Sequence, residues 1–227
     1  PKRSEVTAVR TLLAQPALSG RKLTLDAAHC NPETTTQIHQ AQGLYLVQVK
    51  ANQPTLLTAA QTLATTAVPV RSCQSVDKAH GRLEVRRATF FSCAPLPLAP
   101  RWQSSGLQQL IRVERTVEQL ATAKHSHSVA YYVTNQADIT PPAHADLFAA
   151  IRGHWGCEAD NWIRDVTFHE DQILVQQSTQ AHVLSTLRTL VLGLFRSTGV
   201  TNLRALLDDV ADSPLFFSQL LCQVGFL

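Results

Sequence analysis

The hydrophobic pattern changes period twice along the chain, and these changes restrict the fold more than any other feature of the sequence. The alternating run at 22–27 and the apolar run at 44–50 predict strands, and a helical pattern at 33–42 lies between them. Two strands joined by a helix form a βαβ unit, so we expect both strands to lie parallel in one sheet. This part of the chain therefore predicts an α/β fold.

From residue 68 to residue 135 the period becomes two, which predicts antiparallel strands. Three such runs occur at 81–90, 108–115 and 128–134, separated by a proline-rich loop at 95–100 and a polar turn near Lys124. The helical period then returns after Pro141 and Pro142, first in a long helix that reaches Asp165 and then at 183–195 and 203–210. We therefore divide the chain into residues 1–66, 67–137 and 138–227.

The composition excludes several classes of protein. With 44% hydrophobic and 16% charged residues among 227, the chain fits neither a disordered nor a fibrous protein. Its formal charge of +3 permits contact with a polyanion without requiring it. Five scattered cysteines without a CxxC pair predict neither a disulfide framework nor a zinc ribbon. A polar amino terminus and short apolar runs predict a soluble cytoplasmic protein without a membrane segment.

Two carboxylates are candidates for chemistry. Asp26 falls at the carboxyl end of the first predicted strand, the end of an α/β sheet where ligands bind. Glu158 shares a helical stripe with Trp155 and Trp162, at offsets of three and four residues. Each residue also has a simple structural explanation. An aspartate in this place often caps a turn, and a glutamate on such a helix often pairs with a nearby arginine.

The segment 152–171, with the sequence RGHWGCEADNWIRDVTFHED, adds weight to both carboxylates. Together with LTLDAAH at 23–29, VKANQPTLL at 49–57, KAHGRLEVR at 78–86 and RVER at 112–115, it resembles the DDE transposases of insertion sequences. The similarity is to the branch that contains the H-repeat-associated proteins. It extends in order over nearly the whole chain.

This resemblance implies an RNase H-like (integrase-type) core that is interrupted by a β-rich insertion. Residues 1–66 then form part of the core, 67–137 the insertion, and 138–227 the helical part of the core. In this family three carboxylates hold two Mg²⁺ (or Mn²⁺) ions for the cleavage and strand transfer of the DNA ends of a mobile element. By the matched motifs, Asp26 is the second carboxylate and Glu158 the third, so both are assigned to catalysis and to metal binding.

The resemblance also implies contacts with DNA. The residues assigned to them are Lys50, Asn52, His80, Arg82, Arg152 and Trp155. Lys50 and Asn52 follow the second strand and suit phosphate, although a solvated surface explains them equally well. The basic cluster around His80 and Arg82 suits the DNA backbone, and an exposed strand face explains it nearly as well. Trp102 fits the core of the insertion better than a wedge in DNA.

The chain departs from the family pattern ahead of Asp26. Only 25 residues precede it, much of that length reads as a helix, and the one acidic residue there is Glu5. The first aspartate and the strands around it have no room, so we expect a core that is incomplete at the amino terminus and a chain that is inactive alone. The strand before Asp26 is left with an open edge, which suits a homodimer or an amino-terminal fragment as partner. The alternative is a non-catalytic DNA-binding or protein-interaction module derived from a transposase.

Overall fold

The computed structural model describes residues 5–13, 18–79, 81–96, 98–169, 177–199 and 203–223. The chain divides into two compact units, Pro1–His154 and Trp155–Leu227. The first unit contains α1 (Glu5–Leu13), β1 (Lys22–Leu25), α2 (Pro32–Gln40), β2 (Leu44–Val49), α3 (Pro54–Thr66), β3 (Arg71–Ala79), β4 (Arg82–Ser92), β5 (Gln109–Gln119), β6 (Lys124–Thr134) and most of α4 (Pro141–Trp162).

The elements β1, α2 and β2 form the predicted βαβ unit. The two strands pair in parallel, with Lys22 opposite Leu44 at one end of the ladder. The sequence around α2 explains where this helix begins. Asn31 caps it by accepting a hydrogen bond from the N–H of Thr34 at 2.9 Å, and Pro32 occupies the first turn. The parallel arrangement that the sequence predicted is therefore confirmed.

All six strands belong to one sheet, in the order β1-β2-β6-β5-β4-β3. The last part of β6 pairs antiparallel with β2, and β6, β5, β4 and β3 continue as an antiparallel meander. The distal parts of these four strands extend beyond β2 as a four-stranded arm, which comprises residues 74–79, 81–87 and 114–129. Among the described strands, none pairs with the outer side of β1, so β1 has the open edge that was predicted.

The meander contains one strand more than the sequence indicated. The strand β3 was missed because most of its residues are exposed, with no apolar alternation to mark it, and it is ordered by its pairing with β4. The strand β6 begins four residues earlier than predicted, because its ladder with β5 continues as far as Gln119 opposite Lys124. The strands of residues 67–137 share a sheet with β1 and β2, while the three-part division of the chain stays a prediction.

Helices cover both faces of the sheet in the first unit. On one face, side chains from α1, α2 and α3 enclose an apolar cluster that includes Leu13, Ile38, Tyr45, Leu63 and Trp102. On the other face, α4 packs on the sheet through Leu46, Phe90, Ile111, Leu147, Phe148 and Ile151. Burial of one such side chain contributes about 1.5–3 kcal/mol, so these layers fix the position of the sheet. The fold is mixed α/β, as predicted. The RNase H-like core stays a prediction.

The second unit is helical. After α4 it contains a π-helical turn (Ile163–Thr167), α5 (Ser178–Ser197), α6 (Leu203–Asp212) and α7 (Pro214–Gln223). Its apolar centre is formed by Phe195, Leu206 and Leu220. The helices predicted at 183–195 and 203–210 correspond to α5 and α6. Among the helices in the described part of the chain, none has the length and apolar composition that crossing a membrane requires.

His144 is a fully buried titratable group at the start of α4. Its ring stacks on Phe90 with centroids 4.2 Å apart, and Nε2 lies 2.7 Å from Oε1 of Gln109. Burial lowers the pKa of this imidazole, and the charge of Arg71 lowers it further, against a smaller opposite effect of Asp138. The folded protein therefore holds His144 neutral under conditions in which the unfolded chain takes up a proton.

This pKa shift predicts a loss of stability in mild acid. A lowered folded-state pKa means that stability is complete above the unfolded value of 6.5 and falls as the pH drops below it. The free energy of unfolding should therefore decrease as the pH falls below about 6.5, and the His144→Phe variant should show a shallower decrease. Chemical denaturation at a series of pH values measures both slopes. Equal slopes in the two proteins would contradict the assignment of this effect to His144.

Candidate functional site

Asp26 directly follows β1, at the carboxyl end of the strand. Its side chain is 56% exposed, and Oδ1 accepts a hydrogen bond from the N–H of Ala28 at 2.9 Å, which caps the short 3₁₀ helix Ala27–His29. The Nε2 atom of the buried His29 lies 4.0 Å from the same oxygen. The carboxylate thus has the capping role that an aspartate in this place often has, and it is also open to a ligand from solvent.

The loop that follows β2 packs against the loop that follows β1. Asn52 and Gln53 donate side-chain hydrogen bonds to backbone carbonyl oxygens of residues 27 and 30, at 2.6 and 2.8 Å. Lys50 is exposed at the same end of the sheet. The side-chain amide of Asn52 is therefore engaged in loop packing, whereas the side chain of Lys50 is accessible to an anionic ligand.

Two side-chain contacts join β1 to α4 within the first unit. Lys22 forms an ion pair with Asp146, and Oγ1 of Thr24 lies 3.1 Å from Nδ1 of His154. Lys22 and Thr24 are two residues apart in a strand, so their side chains point to the same face. Lys22 precedes Thr24 on the strand, and their partners Asp146 and His154 follow in the same order on the helix. The chain therefore runs in the same general direction in both elements. These contacts set the register of α4 against β1.

Three of the remaining predicted residues have side chains that the structure does not describe. The side chains of Glu158 and Trp155 on α4 lie outside the described residues, as does His80, so their roles stay predictions. Within the described side chains, no group of three or more His, Cys, Asp or Glu residues is arranged to hold a metal ion. The structure brings Asp26, Lys50 and Asn52 to one end of the sheet.

Strand pairing separates the basic residues of the arm onto two faces. Residues directly opposite in a ladder share a face, and neighbours along a strand alternate. Arg82 and Arg86 consequently lie on the face toward α4, whereas Lys78 and Arg87 lie on the opposite face. The register of β5 adds Arg115, directly opposite Arg86. Sequence reasoning missed Arg115 because only the β4–β5 register reveals this proximity.

Carboxylates on the same face connect these guanidinium groups. The nearly buried Glu84 forms ion pairs with Arg86 and with Arg115, the latter at 2.5 Å, and Asp77 pairs with Arg152 of α4 at 2.8 Å. Burial raises the pKa of the Glu84 carboxyl, but the hydrogen bond from Arg115 and the surrounding arginine charges outweigh burial and lower that pKa overall. Glu84 is therefore ionised at neutral pH and anchors both arginines.

Comparison with known proteins finds relatives of which two are named as transposases. The chain is 28% identical over 207 residues to the "H repeat-associated putative transposase YhhI" and the "Putative protein YbfL" of Escherichia coli K12, and to the "Putative transposase YncI" of Escherichia coli O157:H7. These alignments cover 88%, 88% and 86% of this chain, respectively. They cover 53%, 53% and 50% of the relatives, so the chain spans about half the length of the curated relatives it matches. No family model matches the chain.

Solved structures add little to this comparison. DesVI of Streptomyces venezuelae superposes with a TM-score of 0.24 at 13% identity, over 65% of this chain and 62% of that protein. The sugar N-methyltransferase KedS8 of Streptoalloteichus gives a TM-score of 0.23 at 12% identity, over 62% and 57%. Similarity at this level carries no argument about function. The named relatives, in contrast, support a transposase-derived protein.

Proposed function

We propose that this chain derives from a DDE transposase and retains two of its metal-binding carboxylates, Asp26 and Glu158. The observation that carries the proposal is the similarity over most of the chain to proteins named as transposases. The accessible carboxylate of Asp26 at the carboxyl end of β1 supports it, because this is the end of an α/β sheet where ligands bind. The ancestral reaction is metal-dependent DNA cleavage and strand transfer on an RNase H-like core.

The contacts between β1 and α4 favour this pair of residues. Thr24 reaches His154, and the next side chain on that face of the strand belongs to Asp26. Glu158 comes one helical turn after His154 along α4, on the same stripe of the helix. These contacts fix the part of α4 up to His154 beside β1, and the assignment of Glu158 to the pair rests on the sequence resemblance.

The type of ligand suits the ion, and the number of ligands does not suit a two-ion site. Carboxylate oxygens are the ligands that Mg²⁺ prefers, and Mg²⁺ in such enzymes activates the attacking oxygen and stabilises the leaving one. Asp26 provides one carboxylate, and Glu158 on α4 would provide a second. Two carboxylates hold one ion weakly. The chain alone should therefore bind a divalent cation without catalysing strand transfer.

Metal binding tests the pair directly. Mn²⁺ titration, followed by the electron paramagnetic resonance signal of the free ion, should reveal one site in the wild-type chain. Asp26→Asn and Glu158→Gln should each weaken it by about tenfold or more, about 1.4 kcal/mol, because each removes one of two anionic ligands. Glu118→Gln on the arm removes a carboxylate elsewhere and should change nothing. Unchanged affinity in both site variants would refute the proposed pair.

Activity is tested separately with element-end DNA in the presence of Mg²⁺ or Mn²⁺. We expect no nicking above that of the Asp26→Ala variant. Nicking that Asp26→Ala abolishes would overturn the proposal that the chain alone is inactive, while it would support Asp26 as a catalytic residue.

The second candidate function is a non-catalytic DNA-binding module. The face of the arm toward α4 favours it, because the arginines of that face lie far from Asp26 in the strand order. Such a module binds DNA without metal and is indifferent to Asp26→Asn and Glu158→Gln. A requirement for Mn²⁺ or Mg²⁺ in DNA binding would argue against this candidate.

A further inference from the structure

The charge of the arm is concentrated on one of its faces. The face toward α4 presents Arg82, Arg86, Arg115 and Lys124, joined by Arg152 of α4, against the two carboxylates Asp77 and Glu84. Five cations and two anions leave a net charge of +3, which equals the formal net charge of the whole chain. The opposite face carries Lys78, Arg87, Glu114 and Glu118, with no net charge when its histidines are neutral.

The ion pairs of this face stabilise two arginines that lie close enough to repel each other. Arg86 and Arg115 lie directly opposite each other in the β4–β5 ladder, and like charges in such a position destabilise a sheet. Glu84, with a side chain only 8% exposed, lies beneath both and compensates one charge. The side chains of Arg115 and Arg152 remain 39% exposed. Each guanidinium has five N–H donors, so the carboxylates leave donors that face solvent.

We propose that this face of the arm binds the phosphate backbone of duplex DNA. The inference rests on the proposed function and deepens it, because it names the surface and residues that contact DNA. Four of the five cations are arginines, whose planar donor groups match phosphate oxygens in pairs. Exposed Ser126 and Ser128 lie among them on β6 and offer neutral donors of the kind that also contact phosphates.

The dimensions of the face agree with this ligand. Arg82 and Arg86 are four residues apart on β4, which corresponds to about 14 Å along the strand. A DNA duplex carries one negative charge per about 1.7 Å of axis, so the same length presents about eight phosphates. The five cations therefore have partners within one short stretch of duplex. Contacts of this kind are independent of base sequence.

The dependence of DNA affinity on salt tests the proposal. Binding of a short labelled duplex of arbitrary sequence is measured by fluorescence anisotropy at several salt concentrations. The double variant Arg82→Gln with Lys124→Gln removes two exposed cations of the charged face. It should lower the magnitude of the slope of log K against log salt by about 2. The matched control, Lys78→Gln with Arg87→Gln, removes two exposed cations from the same arm and should leave the slope unchanged.

A second variant addresses the anchored arginines. Replacing Arg86 and Arg115 alone would leave Glu84 buried without a partner, so Glu84→Gln is combined with Arg86→Gln and Arg115→Gln. This triple variant removes two cations and the anion that compensates one of them, so it should reduce the slope by about 1, with an unchanged far-ultraviolet circular dichroism spectrum.

Three results would overturn the inference. They are equal slopes in the double variant and its control, no binding of the duplex by the wild-type chain, and displacement of DNA by poly-glutamate as readily as by DNA at equal charge. Mn²⁺ binding at Asp26 and Glu158 is measured without DNA. The metal site can therefore fail or hold independently of the arm.

Discussion

Truncation of Trp102 to alanine should lower the free energy of unfolding by about 3–5 kcal/mol. The side chain is only 2% exposed and belongs to the apolar cluster between the sheet and helices α1 to α3. It also lines a pocket of about 160 Å³ beside Leu56 and Leu98, which its removal would enlarge. DNA affinity of the folded variant should be unchanged, because an indole buried in this way has no route to a duplex.

Equilibrium denaturation in urea measures the loss of stability. Fluorescence anisotropy of the labelled duplex, at a fixed salt concentration without urea, measures DNA affinity. Gln103→Ala serves as the control, because Gln103 is the exposed neighbour on the same 3₁₀ helix, Pro100–Ser105. The control should stay within about 0.5 kcal/mol of wild type. A Trp102→Ala protein that is fully stable and loses DNA binding would show that the residue is a wedge and not a part of the core.

Replacement of Asn135 by alanine should destabilise the first unit by about 3 kcal/mol. Asn135 follows β6 and is nearly buried. Its side-chain oxygen accepts from the N–H of Tyr45 at 2.9 Å, and its amide nitrogen donates to the carbonyl of Gly43 at 2.9 Å. Alanine leaves both backbone groups without these bonds at the point where β2 begins, and an unsatisfied buried polar group costs about 1–3 kcal/mol.

Gln136→Ala is the matched control for Asn135. The described contacts of Gln136 involve its backbone, which accepts from the side chain of Gln109 and donates to Thr134, so truncation of its side chain should have little effect. Thermal unfolding of both variants gives the comparison. Equal melting temperatures for Asn135→Ala and wild type would show that the amide contributes nothing to the junction of β2 and β6.

The sequence predicted those parts of the fold in which local chemistry agrees with tertiary structure. The parallel strands β1 and β2 were recognisable because β1 alternates, β2 is apolar, and α2 between them has a capping Asn31 and Pro32. Trp102 was correctly assigned to the core. The strand β3 escaped prediction because an exposed edge strand has no alternating pattern, and its order depends on β4.

The candidate site was predictable only in part, for a related reason. The position of Asp26 at the end of a strand follows from the local pattern, and the structure bears this position out. The proximity of Arg86 and Arg115 cannot be predicted from the local pattern, because it depends on the register between β4 and β5. The contact of Thr24 with His154 joins residues 130 apart in sequence, and no local signal encodes it.

The antiparallel pairing of β6 with β2 has a consequence for any attempt to shorten this protein. A cut at residues 67 and 137 would remove the inner neighbour of β2 and leave β1 and β2 as an isolated two-stranded ribbon. Two strands alone rarely hold together in water. Deletion of the meander should therefore also destabilise the two strands that lead to Asp26 and Lys50.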